Sequence, residues 1–383
     1  MTGPEDGLGG GFGGDRTTPT DTRRRGRAER PLTRVRAGSP AAVPDLPERA
    51  ETIPPRLIAE LVDRFALADR SGAVARIREL RSQGYPDAVL RELLAAAVQH
   101  VGALWQEGHW TITQEHAATA VAEAVLTDLE GVSSPVAPVG VVAIVAADGE
   151  WHALPARLAA HAFERHGLEV RYLGAGVPAD DVARSLPAAG ADVLAVSVTI
   201  TANLPGAART VAAGHAAGLP VLVGGAAIDP RRAEAIGADA HAMTVDDGAA
   251  LARRWCEEAM PLVRTAQARS DRVHELTRHR APLRDAAFAG TAARWPALEE
   301  ADHQLLDRIA EDVDLHLDHL VAALTLDDPS IYLDQVDWLR SVHAGRGLPA
   351  TVLTAQLDAL AEAVDGLAPD ASDLLRLAAG PRA

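Results

Sequence analysis

The fold of this chain is decided by the stretch from Val139 to His152, which reads VGVVAIVAADGEWH. Its first nine residues are apolar or glycine, and a short continuous apolar run indicates a β-strand that is buried on both faces of a parallel sheet. The next five residues, from Asp148 onward, are typical of the loop that follows such a strand. Because parallel sheets bind ligands beyond the carboxyl ends of their strands, this loop is the first candidate for a functional site.

Three further apolar runs follow along the chain, over residues 168–173, 193–198 and 221–223. The segments between the runs have the spacing of helices that pack against a sheet. This alternation predicts a doubly wound parallel sheet of about five strands over residues 139–263, an α/β domain of the flavodoxin-like (Rossmann-type) class. Its last element is expected to be a helix near residues 246–262.

All-helical regions flank the predicted sheet. Residues 54–132 carry apolar positions at helical spacing, interrupted at Gly and Pro, and this predicts a four-helix bundle. Residues 265–383 return to helical spacing and predict a C-terminal all-helical domain. Within it, one long helix is expected from Leu298 to Leu324, and two more over residues 331–342 and 352–367.

The N-terminal segment, residues 1–53, differs in composition from the rest of the chain. Its first 50 residues contain nine Gly, six Pro, nine Arg and seven acidic residues. Such a segment cannot bury enough apolar surface to offset the entropy of ordering its chain. We therefore expect a disordered tail.

Composition and charge exclude several classes of function. The chain has no lysine, which excludes a Walker-type phosphate loop and enzymes that form a Schiff base with pyridoxal or retinal. The formal net charge of −16 argues against direct DNA binding. The single cysteine, Cys256, has no partner for an internal disulfide, and no apolar run approaches the roughly 20 residues of a membrane span. We expect a soluble cytoplasmic protein.

Three predicted loops carry residues suited to binding a ligand. After the first strand, Glu150 lies two residues before His152, and an acid that holds one ring nitrogen of a histidine leaves the other free for a metal. After the third strand come Ser197 and Thr199, whose small hydroxyl side chains suit a narrow slot. After the fourth strand comes the pair Gly224 and Gly225, which lets the backbone approach a flat ligand closely; the alternative is that the pair only forms a tight turn.

Together these residues resemble a known family. Glu150-x-His152, Ser197-x-Thr199 and the glycine pair, in a flavodoxin-like sheet after a helical bundle, look like the cobalamin-binding module of methionine synthase, corrinoid carrier proteins and CarH-type photoreceptors. The resemblance implies that His152 replaces the cofactor's own base as lower cobalt ligand and that Glu150 tunes it. The displaced base would enter a slot beside Ser197 and the glycines. Pro155 departs from the family, which usually has glycine at that position.

The bundle carries a second resemblance. Trp105 is followed after nine residues by Glu115 and His116, a spacing similar to that of CarH-type photoreceptors. There the tryptophan covers the upper face of adenosylcobalamin, and the Glu-His pair contacts the adenosyl group. The alternative is that Trp105 is an ordinary core aromatic and Glu115 a helix-terminal charge. Gln106 stands where these photoreceptors have a histidine, and the polar N-terminal tail does not resemble their helix-turn-helix domain.

The predicted C-terminal domain combines imidazole and guanidinium groups with a leucine-rich face. Such groups could hold a tetrapyrrole, with arginines pairing with its propionates, or they could be solvated side chains of a dimerisation bundle. The domain order resembles that of photocobilins, which implies a bilin such as biliverdin in this domain. The residues concerned are His303, His316, His319, His343, Arg308, Arg340 and Arg346.

The sequence thus favours a photoreceptor that is not an enzyme, binding adenosylcobalamin base-off with His152 on cobalt, together with a biliverdin in the C-terminal domain. Light-driven cobalt–carbon cleavage would give its signalling state. Two alternatives stay open. The first is a corrinoid carrier for methyl transfer, and the second is a cobalamin-only light-responsive interaction module whose C-terminal helices serve dimerisation or partner binding. A homo-oligomer or a regulatory protein partner is expected.

Overall fold

A computed structural model describes residues 53–130, 137–258 and 271–380. The tail expected over residues 1–53 lies outside these ranges apart from its last residue. The first described region is a bundle of four helices, as predicted. They are α1 (Pro55–Ala66), α2 (Arg70–Ser82), α3 (Asp87–Gln106) and α4 (Ile112–Glu130).

The bundle is held by one apolar core. Leu61, Phe65, Ile77 and Leu90 are buried in it from three different helices. The Asp69 carboxylate accepts a hydrogen bond of 2.9 Å from the Gly72 N–H and so caps the start of α2. The amphipathic spacing in the sequence therefore corresponds to real buried faces.

Five parallel strands form the sheet, in the order β2-β1-β3-β4-β5. This is the flavodoxin-like order that the sequence predicts, and it reverses between β1 and β3. The carboxyl ends of these two strands lie side by side because Ala146 is in register with Ser197. The strands are β1 (Val141–Ala146), β2 (Glu169–Gly174), β3 (Val193–Ser197), β4 (Val221–Gly224) and β5 (Ala240–Ala242).

Helices cover both faces of the sheet. On one face, α5 (Ala153–Arg165) and α9 (Val245–Glu257) form an apolar core with the strands. On the other face lie α6 (Ala179–Ala189), α7 (Leu204–Ala216) and the short α8 (Pro230–Ala235). The predicted last helix ends at Glu257, because Glu258 has an extended backbone, and the rest of the expected span, up to residue 262, lies outside the described residues.

Six helices form the C-terminal region, and their apolar core is continuous with that of the α6–α7 face. Across the described ranges, no helix combines the length and apolar character that a membrane span requires. The helices are α10 (Asp271–Arg278), α11 (Arg280–Arg294), α12 (His303–Leu326), α13 (Ser330–Gly345), α14 (Ala350–Val364) and α15 (Pro369–Ala379).

Two predicted helix boundaries are wrong. Leu298 does not belong to the long helix but to a separate 3-10 turn, Pro296–Glu300, because the Asp302 carboxylate accepts a hydrogen bond from Leu305 N–H and starts α12 there. Leu367 lies beyond α14, which ends at Val364.

The two glycines Gly206 and Gly102 give opposite predictions for stability. A Cβ on Gly206, at the start of α7, would lie 1.8 Å from the backbone oxygen of Asp148, whereas a Cβ on Gly102, on α3, would meet open space. We expect Gly206→Ala to lower the free energy of unfolding by about 1–3 kcal/mol because it over-packs the site. Gly102→Ala should raise it by about 0.5–1 kcal/mol. Denaturant unfolding of both variants measures this; equal effects would contradict the close contact.

Candidate functional site

The Glu150 side chain joins the loops that follow β1 and β3. It is fully buried, and its Oε2 accepts hydrogen bonds from the N–H of Thr199 at 2.9 Å, from the N–H of Ile200 at 3.1 Å and from Asn203 Nδ2 at 3.0 Å. Its Oε1 accepts a 3.1 Å bond from the N–H of His152 and also contacts Nδ1 of that ring. A buried carboxylate is stable only with such a set of donors.

These contacts set the charges of the pair. Burial by itself would raise the pKa of Glu150, but the hydrogen bonds from His152, Thr199 and Asn203 outweigh it and lower the pKa to about 2. The pKa of His152 is raised above its ordinary value, first by its hydrogen bond to Glu150. The imidazole is half exposed, with 53% of the side chain accessible. Because Nδ1 faces Glu150, Nε2 is the nitrogen available to a ligand.

Small residues lie beside this pair. Ser197 ends β3 and is buried, and the Thr199 hydroxyl is buried without a hydrogen-bond partner among the described residues. Gly225 has φ +116°, and a Cβ there would lie 2.3 Å from the Val198 carbonyl oxygen. Gly224 has more room, since its Cβ would be 3.6 Å from the Ala242 oxygen. The close approach of the Val198 backbone explains the glycine at residue 225, and the orphan Thr199 hydroxyl suits a polar group of a ligand.

The bundle places a second Glu–His pair, Glu115 and His116, near His152. Glu115 lies in the first turn of α4, and its charge also contributes to the raised pKa of His152. Its Oε2 is 2.6 Å from Nδ1 of the exposed His116. Glu115 thus lies near the Glu150–His152 pair, and His116 lies next to Glu115.

Trp105, in the last turn of α3, contacts the C-terminal helices. Its indole stacks on that of Trp338 with ring centroids 6.0 Å apart, and the Arg346 guanidinium lies 4.6 Å from its centroid. Gly108, just after α3, lies so close to Gly345 that a Cβ on Gly108 would be 2.5 Å from the Gly345 oxygen. Trp105 is therefore part of the contact between the bundle and α13.

A cavity of about 870 Å³ lies at this contact, and the sequence analysis did not predict it. Its lining residues come from the end of α3, the start of α4, α12 and α13, and no single segment of sequence shows that they meet. The sequence predicts Arg308 and Arg346 as possible ligand-binding residues, but it does not predict that role for the indoles of Trp110 and Trp338 or for the carboxylate of Asp312. Its main polar and aromatic residues are Trp105, Trp110, Arg308, Asp312, Trp338 and Arg346.

The interpretation of the C-terminal histidines as solvated side chains is wrong for three of them. His316, His319 and His343 are buried, and burial lowers the pKa of His316 to about 4. His316 Nδ1 is 3.0 Å from the Tyr332 hydroxyl, and His343 Nε2 is 2.8 Å from Asp312 Oδ2. His303 stays exposed at the start of α12.

The sequence analysis also missed two residues of the Glu150 site. Asn203 donates to Glu150, and a lone asparagine six residues after a strand carries no signal of that role. Trp151 is 78% exposed, and its ring lies against Gly176, where a Cβ would be 2.6 Å from the indole.

Two family models match the chain, and each is described as a B12 binding domain. One matches residues 57–130 and the other residues 140–252. The chain is also similar to dimethylamine corrinoid protein 1 of Methanosarcina acetivorans, at 25% identity over 205 residues, which are 51% of this chain and 96% of that protein. The dimethylamine corrinoid protein of Methanosarcina barkeri is 24% identical over 206 residues, which are 51% of this chain and 96% of that protein.

Solved structures of a corrinoid protein and of a cobalamin methyltransferase complex are also similar to this chain. The monomethylamine corrinoid protein of Methanosarcina barkeri matches at 20% identity and a TM-score of 0.45, over 52% of this chain and 98% of that one. The methanol:cobalamin methyltransferase complex of the same organism matches at 17% identity and a TM-score of 0.29, and the match covers 53% of this chain and 80% of that one. Helices α10 to α15 lie outside both family matches.

The Glu150–His152 pair predicts a pH dependence for the protein without cofactor. Folding raises the pKa of His152, so its pairing stabilises the fold fully below pH 6.5, and this stabilisation is lost as the pH rises through the higher pKa. Folding lowers the pKa of Glu150 to about 2, so its share is present above pH 4.5 and is lost as the pH falls through 2. In Glu150→Gln, NMR titration should show the His152 pKa falling toward 6.5. Glu115→Gln, which removes only a more distant charge, should lower it less; equal shifts would refute the pairing.

The strand order, the loops joined by Glu150 and the two family matches agree on one interpretation. Residues 57–130 and 140–252 match domain models for B12, and the relatives that cover half of this chain are corrinoid proteins. This part of the chain is a cobalamin-binding module.

Proposed function

We propose that the module holds its corrinoid with His152 as the lower axial ligand of cobalt, in the base-off state. The observation that carries this proposal is the buried Glu150 carboxylate, which fixes Nδ1 of the imidazole and leaves Nε2 for the metal. The orphan hydroxyl of Thr199, just beyond the small Ser197 side chain that ends β3, supports a site for the displaced base. The residues present therefore fit the cofactor.

Residues of this chain hold the Nδ1 proton of His152 and orient its imidazole. The hydrogen bond to Glu150 raises the pKa of His152 and holds the ring with Nδ1 toward the carboxylate. Coordination at Nε2 requires that nitrogen to be unprotonated, and Glu150 still accepts the hydrogen bond from Nδ1–H. The bonds from Thr199 and Asn203 keep the carboxylate from turning away. A bound corrinoid supplies the cobalt–carbon bond that carries an organic group.

We propose that this organic group is a methyl group and that the chain is a corrinoid carrier for methyl transfer. The support is the resemblance of half the chain to dimethylamine corrinoid proteins along nearly their whole length. On this proposal the chain has no catalytic activity of its own. Its partner is a methyltransferase, which must reach the face of the corrin that Glu115 and Trp105 border.

A second candidate is favoured by the cavity beside Trp105. In this candidate the cofactor is adenosylcobalamin, light breaks its cobalt–carbon bond, and biliverdin occupies the cavity. The indoles of Trp105, Trp110 and Trp338 suit a flat conjugated ligand, and the guanidiniums of Arg308 and Arg346 suit its carboxylates. A cobalamin-only light-responsive module is the outcome if biliverdin does not bind. The cytoplasmic location and the lack of direct DNA binding stay predictions.

The lower-ligand proposal is tested with His152→Ala. Electron paramagnetic resonance of bound cob(II)alamin should show splitting from one axial nitrogen, and this splitting should change when the protein carries ¹⁵N-histidine. His152→Ala should lose that signature and bind at least about tenfold more weakly. His116→Ala is the matched control, because it removes an exposed imidazole on the bundle side and should retain the signature. A label-independent splitting would show that the cofactor keeps its own base.

The two candidates are separated by the response to light. Protein reconstituted with adenosylcobalamin, with or without biliverdin, is compared before and after illumination by absorption spectroscopy and by hydrogen exchange of α12 and α13. The second candidate predicts a red-absorbing band with biliverdin and a light-dependent exchange change that Trp105→Ala abolishes. The carrier predicts neither, but predicts methyl transfer in the dark from the methylated protein to a thiol when a methyltransferase is added. The absence of dark transfer, together with a light response, would remove the carrier.

A further inference from the structure

Asp312 is a buried carboxylate in the wall of the cavity beside Trp105. It lies on α12, is only 5% exposed, and lines the cavity together with the indoles of Trp105 and Trp338. A carboxylate in such an apolar surrounding needs hydrogen-bond donors, from the protein or from a ligand.

The protein holds Asp312 from one side. His343 Nε2 on α13 is 2.8 Å from Asp312 Oδ2, and Gln356 Nε2 on α14 is 3.4 Å from the same oxygen. Both donors reach Oδ2, so Oδ1 is not needed to hold the side chain in place. Buried atoms of the same two partners, His343 Nδ1 and Gln356 Oε1, have no hydrogen-bond partner among the described residues. The cluster is therefore fixed, but it is not satisfied by protein groups alone.

The other charged groups of the cavity lie farther out. Asp307 and Glu311 line its exposed rim, whereas Arg308 and Arg346 are half buried. Burial lowers the pKa of Arg346, and the charge of Arg308 lowers it further, whereas the charge of Asp312 acts in the opposite direction. The cavity is thus lined by two arginine guanidiniums and one buried carboxylate.

We propose that Asp312 is the binding residue for the N–H groups of a flat, conjugated, dicarboxylated ligand of the open-chain tetrapyrrole class, while Arg308 and Arg346 pair with its carboxylates. His343 is a positioning residue that holds Asp312 toward the ligand. This inference rests on the second candidate function, and it names the residue that would recognise the ligand's nitrogens. The buried anion distinguishes such a ligand from a simple aromatic acid, which the arginines and indoles alone would accept.

The test uses the full-length chain, biliverdin as the probe, and corrin loading as a separate readout. Asp312→Asn keeps the shape of the side chain but removes its charge, so biliverdin should bind about tenfold to a hundredfold more weakly and the band of the bound pigment should shift. Asp334→Asn is the matched control, because it makes the same change at a largely exposed carboxylate of α13 that does not line the cavity, and it should bind like the unmodified chain.

The role of His343 has its own pair of variants. His343→Leu removes the donor to Asp312 and should reproduce the band shift of Asp312→Asn, whereas His343→Gln, which keeps an N–H donor, should restore the original band. Circular dichroism and corrin uptake check that each variant folds. A purely structural role for the cluster predicts equal loss in both His343 variants.

The outcomes separate the inference from the function on which it rests. If the unmodified chain takes up corrin but no biliverdin, the second candidate function fails and this inference fails with it. If the unmodified chain binds biliverdin and Asp312→Asn binds it with the same affinity and band, the inference alone is overturned.

Discussion

The structure of the cobalamin-binding module depends on one buried charge. The Glu150 carboxylate accepts hydrogen bonds from both loops at the point where the strand order reverses, so the loops after β1 and β3 share one anchor. Removing a charge from water is costly, and here four protein donors besides the imidazole offset that cost. The orientation of His152 follows from this anchor. An exposed carboxylate in the same loop would leave the ring free to rotate, and the same pair of residue types would then carry little chemical meaning.

Much of this fold could be predicted because buried parallel strands are written as continuous apolar runs. Val139–Ala147 and residues 193–198 gave the two central strands, and with them the adjacency of the Glu150 and Ser197 loops. β5 could not be located in this way because Ala240–Ala242 contains a histidine and is only three residues long. Asn203 was missed since its role depends on distance in space, not on spacing in sequence. The buried C-terminal histidines were misjudged for a related reason: helical spacing does not show which face of α12 meets α13 and α14.

Trp105 connects the two candidate functions. On the proposed site the Trp105 indole would border the corrin, and the same indole stacks on Trp338 in the wall of the cavity. For a methyl carrier, the contact between Trp105 and α13 would block access to the corrin, and a partner protein would have to displace it. For a light-responsive protein, the same contact joins the bundle to the cavity that contains Asp312. The similarity to corrinoid proteins about half as long as this chain is the support for the carrier, whereas the family matches end before the C-terminal helices begin.

The contact between Gly108 and Gly345 limits how the C-terminal helices can move. Two main chains meet there without side chains between them, so no rotamer change can widen the gap by a small amount. A side chain at Gly108 or at Gly345 would therefore push the end of α3 away from the end of α13, and the tight join between the bundle and the C-terminal helices depends on both residues being glycine.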